Sequence, residues 1–204
     1  MSLWCGAHPL VLASKSAARR AVLEAAGIPV EIVSADVDER KMEAEAPAAE
    51  AAPDDIARLL ARTKALAGAT KLDPDRYVVG ADQTLALGGL VFHKAPDRAA
   101  AKLQIARLAG RTHVLHSAVA VVKDEEVLFE TVESACLTMR PLSDAEIDAY
   151  LDAAGTAILG SVGCYQLESL GVHLFEKIEG DHFTILGLPL LPLLGFLRAE
   201  GLVS

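Results

Sequence analysis

Side chains that could hold a phosphate group cluster near the start of this sequence. A short apolar run at residues 10–13 predicts a buried strand, and apolar residues after it recur with the spacing of a helix. The turn between them contains Ser14, Lys15, Ser16 and Arg19. A helix N-terminus presents free amide groups and partial positive charge, so this combination indicates an anion site. The alternative, to which we give about the same weight as to the anion site, is an ordinary strand–helix unit with a basic first turn.

A carboxylate, Asp82, follows a second apolar run at residues 77–81. That run predicts a buried central strand that ends just before Asp82. In open α/β sheets, ligands bind beyond the carboxyl ends of the strands. Asp82 is therefore a candidate catalytic carboxylate, and the alternative is an aspartate that caps a turn.

Two further charged features have both a functional and a simpler interpretation. Asp36, Asp38 and Glu39 lie at the end of a second predicted strand, residues 30–37, and could face a metal ion. A solvated acidic loop is the favoured interpretation, because such loops are common. Lys64 lies at the edge of the apolar stripe of a helix predicted at residues 54–72, where a lysine can extend its ammonium group to water.

Two later segments complete the set of candidate site residues. Residues 85–94 predict a hairpin that turns at Gly88 and Gly89 and delivers Lys94. Residues 157–170 are rich in glycine and small side chains and have no regular period. We interpret this second segment as a loop that lines a cavity.

These residues must be positioned by a mixture of strands and helices. Two long apolar runs at residues 114–122 and 127–139 predict an antiparallel hairpin, and we interpret His113 and His116 as structural residues. The other predicted elements are a helix between Ser16 and Gly27, helices at 97–108 and 143–154 with N-cap signals, a hairpin of strands 172–178 and 183–186, and a helix at 188–200. Strand–helix alternation followed by antiparallel hairpins predicts an α/β fold.

Composition excludes several classes of protein. The chain has 204 residues and a net charge of −9, which argues against a protein that binds nucleic acid through a basic face. Its three cysteines are far apart in the sequence and lack metal-ligand spacing, so we expect neither a disulfide framework nor a zinc site. Without a predicted signal sequence or membrane span, we expect one cytoplasmic domain.

The opening segment, residues 12–20, resembles the first motif of the Maf family of nucleotide pyrophosphatases, also called septum-formation inhibitors. That motif reads Leu-Ala-Ser-x-Ser-Pro-x-Arg, and Ala17 stands here in place of its proline. Further blocks resemble the family in the same order, at residues 36–39, 61–65, 80–84, 110–113, 160–169 and 179–190. Two positions depart from the family pattern. The proline after Lys94 comes one place later than in the family, and Ser169 stands in place of a glycine.

The resemblance implies a long mixed β-sheet flanked by helices, with two lobes around a cleft, similar to inosine triphosphate pyrophosphatases. It also implies hydrolysis of a nucleoside triphosphate to the monophosphate and pyrophosphate, with a divalent Mg²⁺ or Mn²⁺. In this interpretation Asp82 is the catalytic base. The remaining implied roles are metal binding by Glu39 and Asp82, phosphate binding by Arg19, Lys64 and Lys94, and triphosphate binding by the backbone near Ser14 and Ser16.

Three positions bear on which base the substrate carries. The family has two branches that differ at these positions. One branch prefers dTTP and UTP. The other branch, which carries Trp, Gln and Glu at the three positions, prefers 7-methyl-GTP. This chain has Ala18, Gln83 and Glu168, so two of the three resemble the second branch. A dTTP or UTP pyrophosphatase and a non-catalytic nucleotide-binding regulator of septum formation are kept as alternatives, and a homodimer is left open.

Overall fold

The computed structural model describes residues 3–35, 37 and 52–204. The strands are β1 (Leu10–Leu12), β2 (Val30–Ile32), β3 (Val78–Leu87), β4 (Leu90–Phe92), β5 (Thr112–Lys123), β6 (Glu126–Met139) and β7 (Phe175–Glu179). The helices are α1 (Ala17–Ala25), α2 (Pro53–Ala69), α3 (Arg98–Leu108), α4 (Asp144–Ala154), α5 (His182–Ile185) and α6 (Leu190–Ala199). Short 3₁₀ turns lie at Ala157–Gly160, Val162–Cys164 and Leu170–Leu174. Within the described ranges, no helix has the length and apolar character needed to cross a membrane.

The strands form a mixed seven-stranded sheet in the order β2-β1-β3-β5-β6-β7, with β4 also paired to β3. The pairs β1–β2 and β1–β3 are parallel, whereas β5, β6 and β7 continue the sheet in antiparallel fashion. This confirms the α/β fold predicted from the sequence pattern and the mixed sheet flanked by helices that the family resemblance implies.

One edge of β3 changes its partner part-way along the strand. β1 pairs with β3 as far as Val79, and β4 pairs with it from Leu85. Residues 80–84 lie between these two partners, and no described strand pairs with them on this edge. The change of partner therefore leaves an opening in the sheet beside the middle of β3.

The two faces of β3 pack against different helices because successive side chains of a strand point to opposite faces. Gly80 faces α2, and a Cβ atom at this position would collide with backbone atoms of Ala61 and Ala65. Val79 and Ala81 face the other side and join an apolar cluster with residues of α1 and α6. A glycine is thus required at position 80 for the close approach of α2 to the sheet.

Several local predictions are confirmed. Ser16 caps α1 by accepting a hydrogen bond from the Arg19 amide, and Asp97 caps α3 in the same way. Ser143 begins α4 with a complete capping box. The hairpin at Gly88 and Gly89 and the long β5–β6 hairpin are both present.

Four predicted elements are wrong in their type or extent. β3 does not end before Asp82 but continues to Leu87, because the polar side chains in its middle face the opening or find polar partners. Residues 183–186 are not a strand, since Asp181 accepts a hydrogen bond from the Thr184 amide and starts the short helix α5. The predicted strands at 30–37 and 172–178 are shortened to β2 and β7.

Candidate active site

A cavity of about 900 Å³ opens beside the middle of β3. Its wall combines the start of α1, the centre of β3, the segment after β4, the loop at residues 160–168 and the turn between α5 and α6. The predicted site residues that line it are Ser14, Ser16, Ala18, Arg19, Lys64, Asp82, Gln83, Lys94 and Glu168. Glu39, together with Asp36 and Asp38, lies outside the described residues.

Asp82 and Lys64 form an ion pair in the wall of the cavity. Each side chain is only about one-tenth exposed, at 11% and 10%. Asp82 reaches Lys64 because it lies on the face of β3 that packs against α2. The simpler interpretation, in which Lys64 extends its ammonium group to water, is therefore wrong, and the pair places a carboxylate in the wall of the cavity.

Arg19 lies in the cavity wall and is held by three acceptors from different parts of the chain. Its Nε donates to the Gly187 carbonyl oxygen at 2.8 Å. Its Nη1 donates to Ala81 O at 2.7 Å and to Ser14 Oγ at 3.2 Å. Ala81 O belongs to the stretch of β3 between β1 and β4, so the guanidinium takes the place of a strand partner there.

The basic side chains in the first turn of α1 point in two directions, one to the cavity and one to the solvent. Arg19 points into the cavity wall, whereas Arg20 is exposed and pairs with Glu24 at 2.7 Å. The Ser16 amide donates to Ser14 Oγ at 3.3 Å, which helps to fix the turn before the helix. The exposed Lys15 also lines the cavity, so this helix start combines backbone amides with two cationic side chains.

Gln83 is next to Asp82 in the sequence but projects from the opposite face of β3. Its Nε2 lies 2.9 Å from Ser117 Oγ, 3.2 Å from Thr184 O and 3.1 Å from Ile185 O. Two of these partners are backbone carbonyls, which only accept hydrogen bonds, so the amide nitrogen must be the group that faces them. Among the described residues Oε1 of Gln83 accepts no hydrogen bond, and the side chain therefore offers the cavity an acceptor.

Two buried tyrosine hydroxyl groups hold the loop at residues 160–168 in place. Tyr165 lines the cavity, and its hydroxyl lies 2.7 Å from Nε2 of His113, which is fully buried. Tyr150 donates to the Cys164 carbonyl oxygen at 3.1 Å. Glu168 is exposed at the end of this loop. Tyr165 was not among the predicted site residues, although it lies inside the segment at residues 157–170 that predicts a cavity loop.

Acidic pH is expected to destabilise the fold through His113. Burial lowers the pKa of its imidazole from 6.5 to about 4. The unfolded chain therefore binds more protons than the folded chain between these values, so the free energy of unfolding falls as the pH falls through this window. The shift corresponds to about 3 kcal/mol.

Urea unfolding of the wild type and of His113→Gln across this pH range measures the effect. Glutamine keeps a polar group near Tyr165 but cannot be protonated, so the variant should show a shallower pH dependence. Parallel curves for the two proteins would contradict the assignment to His113.

The donor set of the cavity is compatible with a cation that is shared with a phosphate ligand. Within the part of the chain that the structure describes, no group of three or more His, Cys, Asp or Glu side chains could hold a metal ion. Asp82 supplies one carboxylate at the cavity wall. Mg²⁺ is commonly bound by one or two carboxylates together with substrate phosphates, and this one carboxylate fits that mode.

The chain is similar to known proteins over its whole length. A family model described as Maf-like protein matches residues 9–200. The chain is 59% identical over 204 residues to a protein of Rhodopseudomonas palustris, and 55% identical over 204 residues to one of Bradyrhizobium diazoefficiens, with both chains fully covered in each case. Both relatives are named nucleoside triphosphate pyrophosphatase. A protein of Brucella abortus named 7-methyl-GTP pyrophosphatase is 49% identical over 191 residues, which cover 94% of this chain and 96% of the relative.

Proposed function

The chain belongs to the family of Maf-like proteins, and we propose that it hydrolyses a nucleoside triphosphate to the monophosphate and pyrophosphate. The observation that carries the proposal is the buried Asp82–Lys64 pair in the wall of a cavity that also contains the start of α1. The carboxylate can accept a proton, and the helix start with Arg19 can hold phosphate oxygens. The names of the close relatives support the same reaction.

In the proposed reaction a water molecule attacks the α-phosphorus. Its oxygen forms the new bond to phosphorus, the bond to the bridging oxygen of the β-phosphate breaks, and pyrophosphate leaves. Asp82 takes the proton from the water. Lys64 holds Asp82 in place through the ion pair, and Arg19 and Lys94 offset the charge that spreads over the phosphate oxygens.

A divalent cation, Mg²⁺ or Mn²⁺, is part of the proposal and would be held by Asp82 together with Glu39. When bound, it would neutralise part of the negative charge on the triphosphate. The cavity wall supplies further positive charge to offset the charge of the triphosphate. It comes from the side chains of Lys15, Arg19, Lys64 and Lys94.

We further propose that the base of the substrate is guanine or a modified guanine such as 7-methylguanine. Gln83 presents its side-chain oxygen to the cavity as a hydrogen-bond acceptor, because its amide nitrogen donates to the carbonyl oxygens of Thr184 and Ile185. Glu168, when ionised, also only accepts hydrogen bonds. Guanine presents two adjacent N–H donors on its Watson–Crick edge, whereas uracil presents one donor between two carbonyl acceptors. Two acceptor groups therefore suit guanine better than uracil or thymine.

Ala18 weakens discrimination in favour of the methylated base. A cationic 7-methylguanine gains about 0.5–2 kcal/mol from stacking on an aromatic side chain. Ala18 provides no aromatic ring at the cavity wall. We therefore expect a modest difference between 7-methyl-GTP and GTP, and a larger difference between these two and dTTP or UTP.

Pyrophosphate release from 7-methyl-GTP, GTP, dTTP and UTP in competition tests the proposal. The Glu168→Gln variant should shift the preference toward pyrimidines, because the new amide can also donate to a carbonyl oxygen. Glu176→Gln on β7, outside the cavity, is the matched control and should leave the preference unchanged. A clear wild-type preference for dTTP would reject the guanine assignment but retain the pyrophosphatase.

The same panel separates the enzyme from a non-catalytic regulator of septum formation that uses the cavity as a nucleotide sensor. A regulator would bind the triphosphates without releasing pyrophosphate from any of them. The position of Asp82 favours the enzyme, because a carboxylate beside groups that can hold phosphate can take a proton from water.

A further inference from the structure

Ser117 is a fully buried polar residue in the middle of β5, directly opposite Gln83 in the sheet. Its Oγ donates to the Thr184 carbonyl oxygen at 2.6 Å and accepts from Gln83 Nε2 at 2.9 Å. Ser117 is not among the residues that line the cavity. Any effect of this hydroxyl on a bound ligand must therefore pass through the residues that it holds.

The turn after α5 connects Ser117 to Arg19. The Thr184 carbonyl oxygen also accepts a hydrogen bond from the Gly187 amide at 3.0 Å, which closes the turn. Gly187 has a φ of 89°, a conformation that glycine adopts without strain. Its carbonyl oxygen in turn accepts the hydrogen bond from Arg19 Nε. Ser117 and Arg19 thus hold the two ends of one short turn.

We propose that Ser117 is a positioning residue that fixes the Arg19 guanidinium through the turn at residues 184–187. The proposal rests on the proposed function in one respect, namely that Arg19 binds phosphate. Without the hydroxyl, the Thr184 carbonyl loses its shortest hydrogen bond and the turn is held only by weaker contacts. A shift of Gly187 O then turns the guanidinium about its remaining bonds to Ala81 O and Ser14 Oγ, and small misplacements of a binding group weaken binding strongly.

Calorimetric titration with inorganic triphosphate tests this coupling without requiring turnover. We expect Ser117→Ala to raise the dissociation constant about tenfold. Arg19→Ala should raise it at least as much. In the double variant the loss should equal that of Arg19→Ala alone, because inorganic triphosphate carries no base for Gln83 to contact and Ser117 then affects binding through Arg19. A purely structural role for Ser117 would instead give losses that add.

Two controls keep the result interpretable. Thr63→Ala removes a comparable bond from a hydroxyl to a carbonyl, 2.9 Å to Leu59 O on α2, outside the cavity, and should leave triphosphate binding unchanged. Ser117→Cys keeps a weak donor of similar size, so it should recover part of the affinity if Ser117→Ala folds poorly in thermal melting.

Three outcomes would overturn the proposal: no triphosphate binding by the wild type, an unchanged dissociation constant for Ser117→Ala, or additive losses in the double variant. Failure of the proposed hydrolysis would look different. In that case the wild type would bind inorganic triphosphate, with the coupling intact, yet release no pyrophosphate from any nucleotide.

Discussion

The Asp82→Asn variant is expected to hydrolyse nucleoside triphosphates about 10²–10⁴-fold more slowly than the wild type, the usual cost of losing a general base. Asparagine has nearly the same shape, and its carbonyl oxygen can still accept the hydrogen bond from Lys64. It cannot take a proton from water. Binding of the triphosphate should therefore change by several-fold at most, and the loss should appear in kcat.

Steady-state pyrophosphate release together with calorimetric binding separates these two effects. Asp148→Asn is the matched control, since this partly exposed carboxylate pairs with Arg98 and Lys102 away from the cavity. The control should retain the wild-type rate. Turnover of Asp82→Asn at the wild-type rate would show that another group is the base.

The Lys64→Met variant is expected to lose both stability and activity. Methionine has a similar volume but leaves the Asp82 carboxylate buried without its cationic partner. Removing one member of a buried ion pair typically costs about 3–5 kcal/mol of unfolding free energy. Hydrolysis should also fall, because the base loses its orientation and the phosphates lose a nearby positive charge.

Denaturant unfolding of the single and double variants measures how much the Asp82–Lys64 ion pair contributes to the free energy of unfolding. In the Asp82→Asn background, Lys64→Met should cost clearly less than it does in the wild type, because no charge is then left unpaired. Lys102→Met, which breaks the more exposed pair with Asp148, should cost about 1 kcal/mol or less. Equal costs for Lys64→Met in both backgrounds would show that the ion pair contributes little.

The residues that line the cavity were largely predictable from the sequence. Asp82 and Arg19 were predictable because each follows an apolar run that predicts a strand, whereas the roles of Lys64, Gln83 and Glu168 came from the resemblance to the family. The structure brings all five to the same cavity. Ser117 was missed, although one signal was present: a small polar residue inside a long apolar strand requires a hydrogen-bond partner when it is buried.

The sequence by itself determined the features that depend on a few neighbouring residues. The caps at Ser16, Asp97 and Ser143 and the turn at Gly88 and Gly89 were predictable because short-range hydrogen bonds and backbone preferences decide them.

Only the tertiary structure decided which side chains meet. Asp82 and Gln83 are adjacent in sequence, yet the pleat of β3 sends one to α2 and the other to Ser117 and α5. Arg19 reaches the carbonyl of Gly187, 168 positions away, because both lie beside the stretch of β3 between its two partners on that edge. Such contacts follow from packing summed over the whole sheet and its helices, and no local pattern in the sequence encodes them.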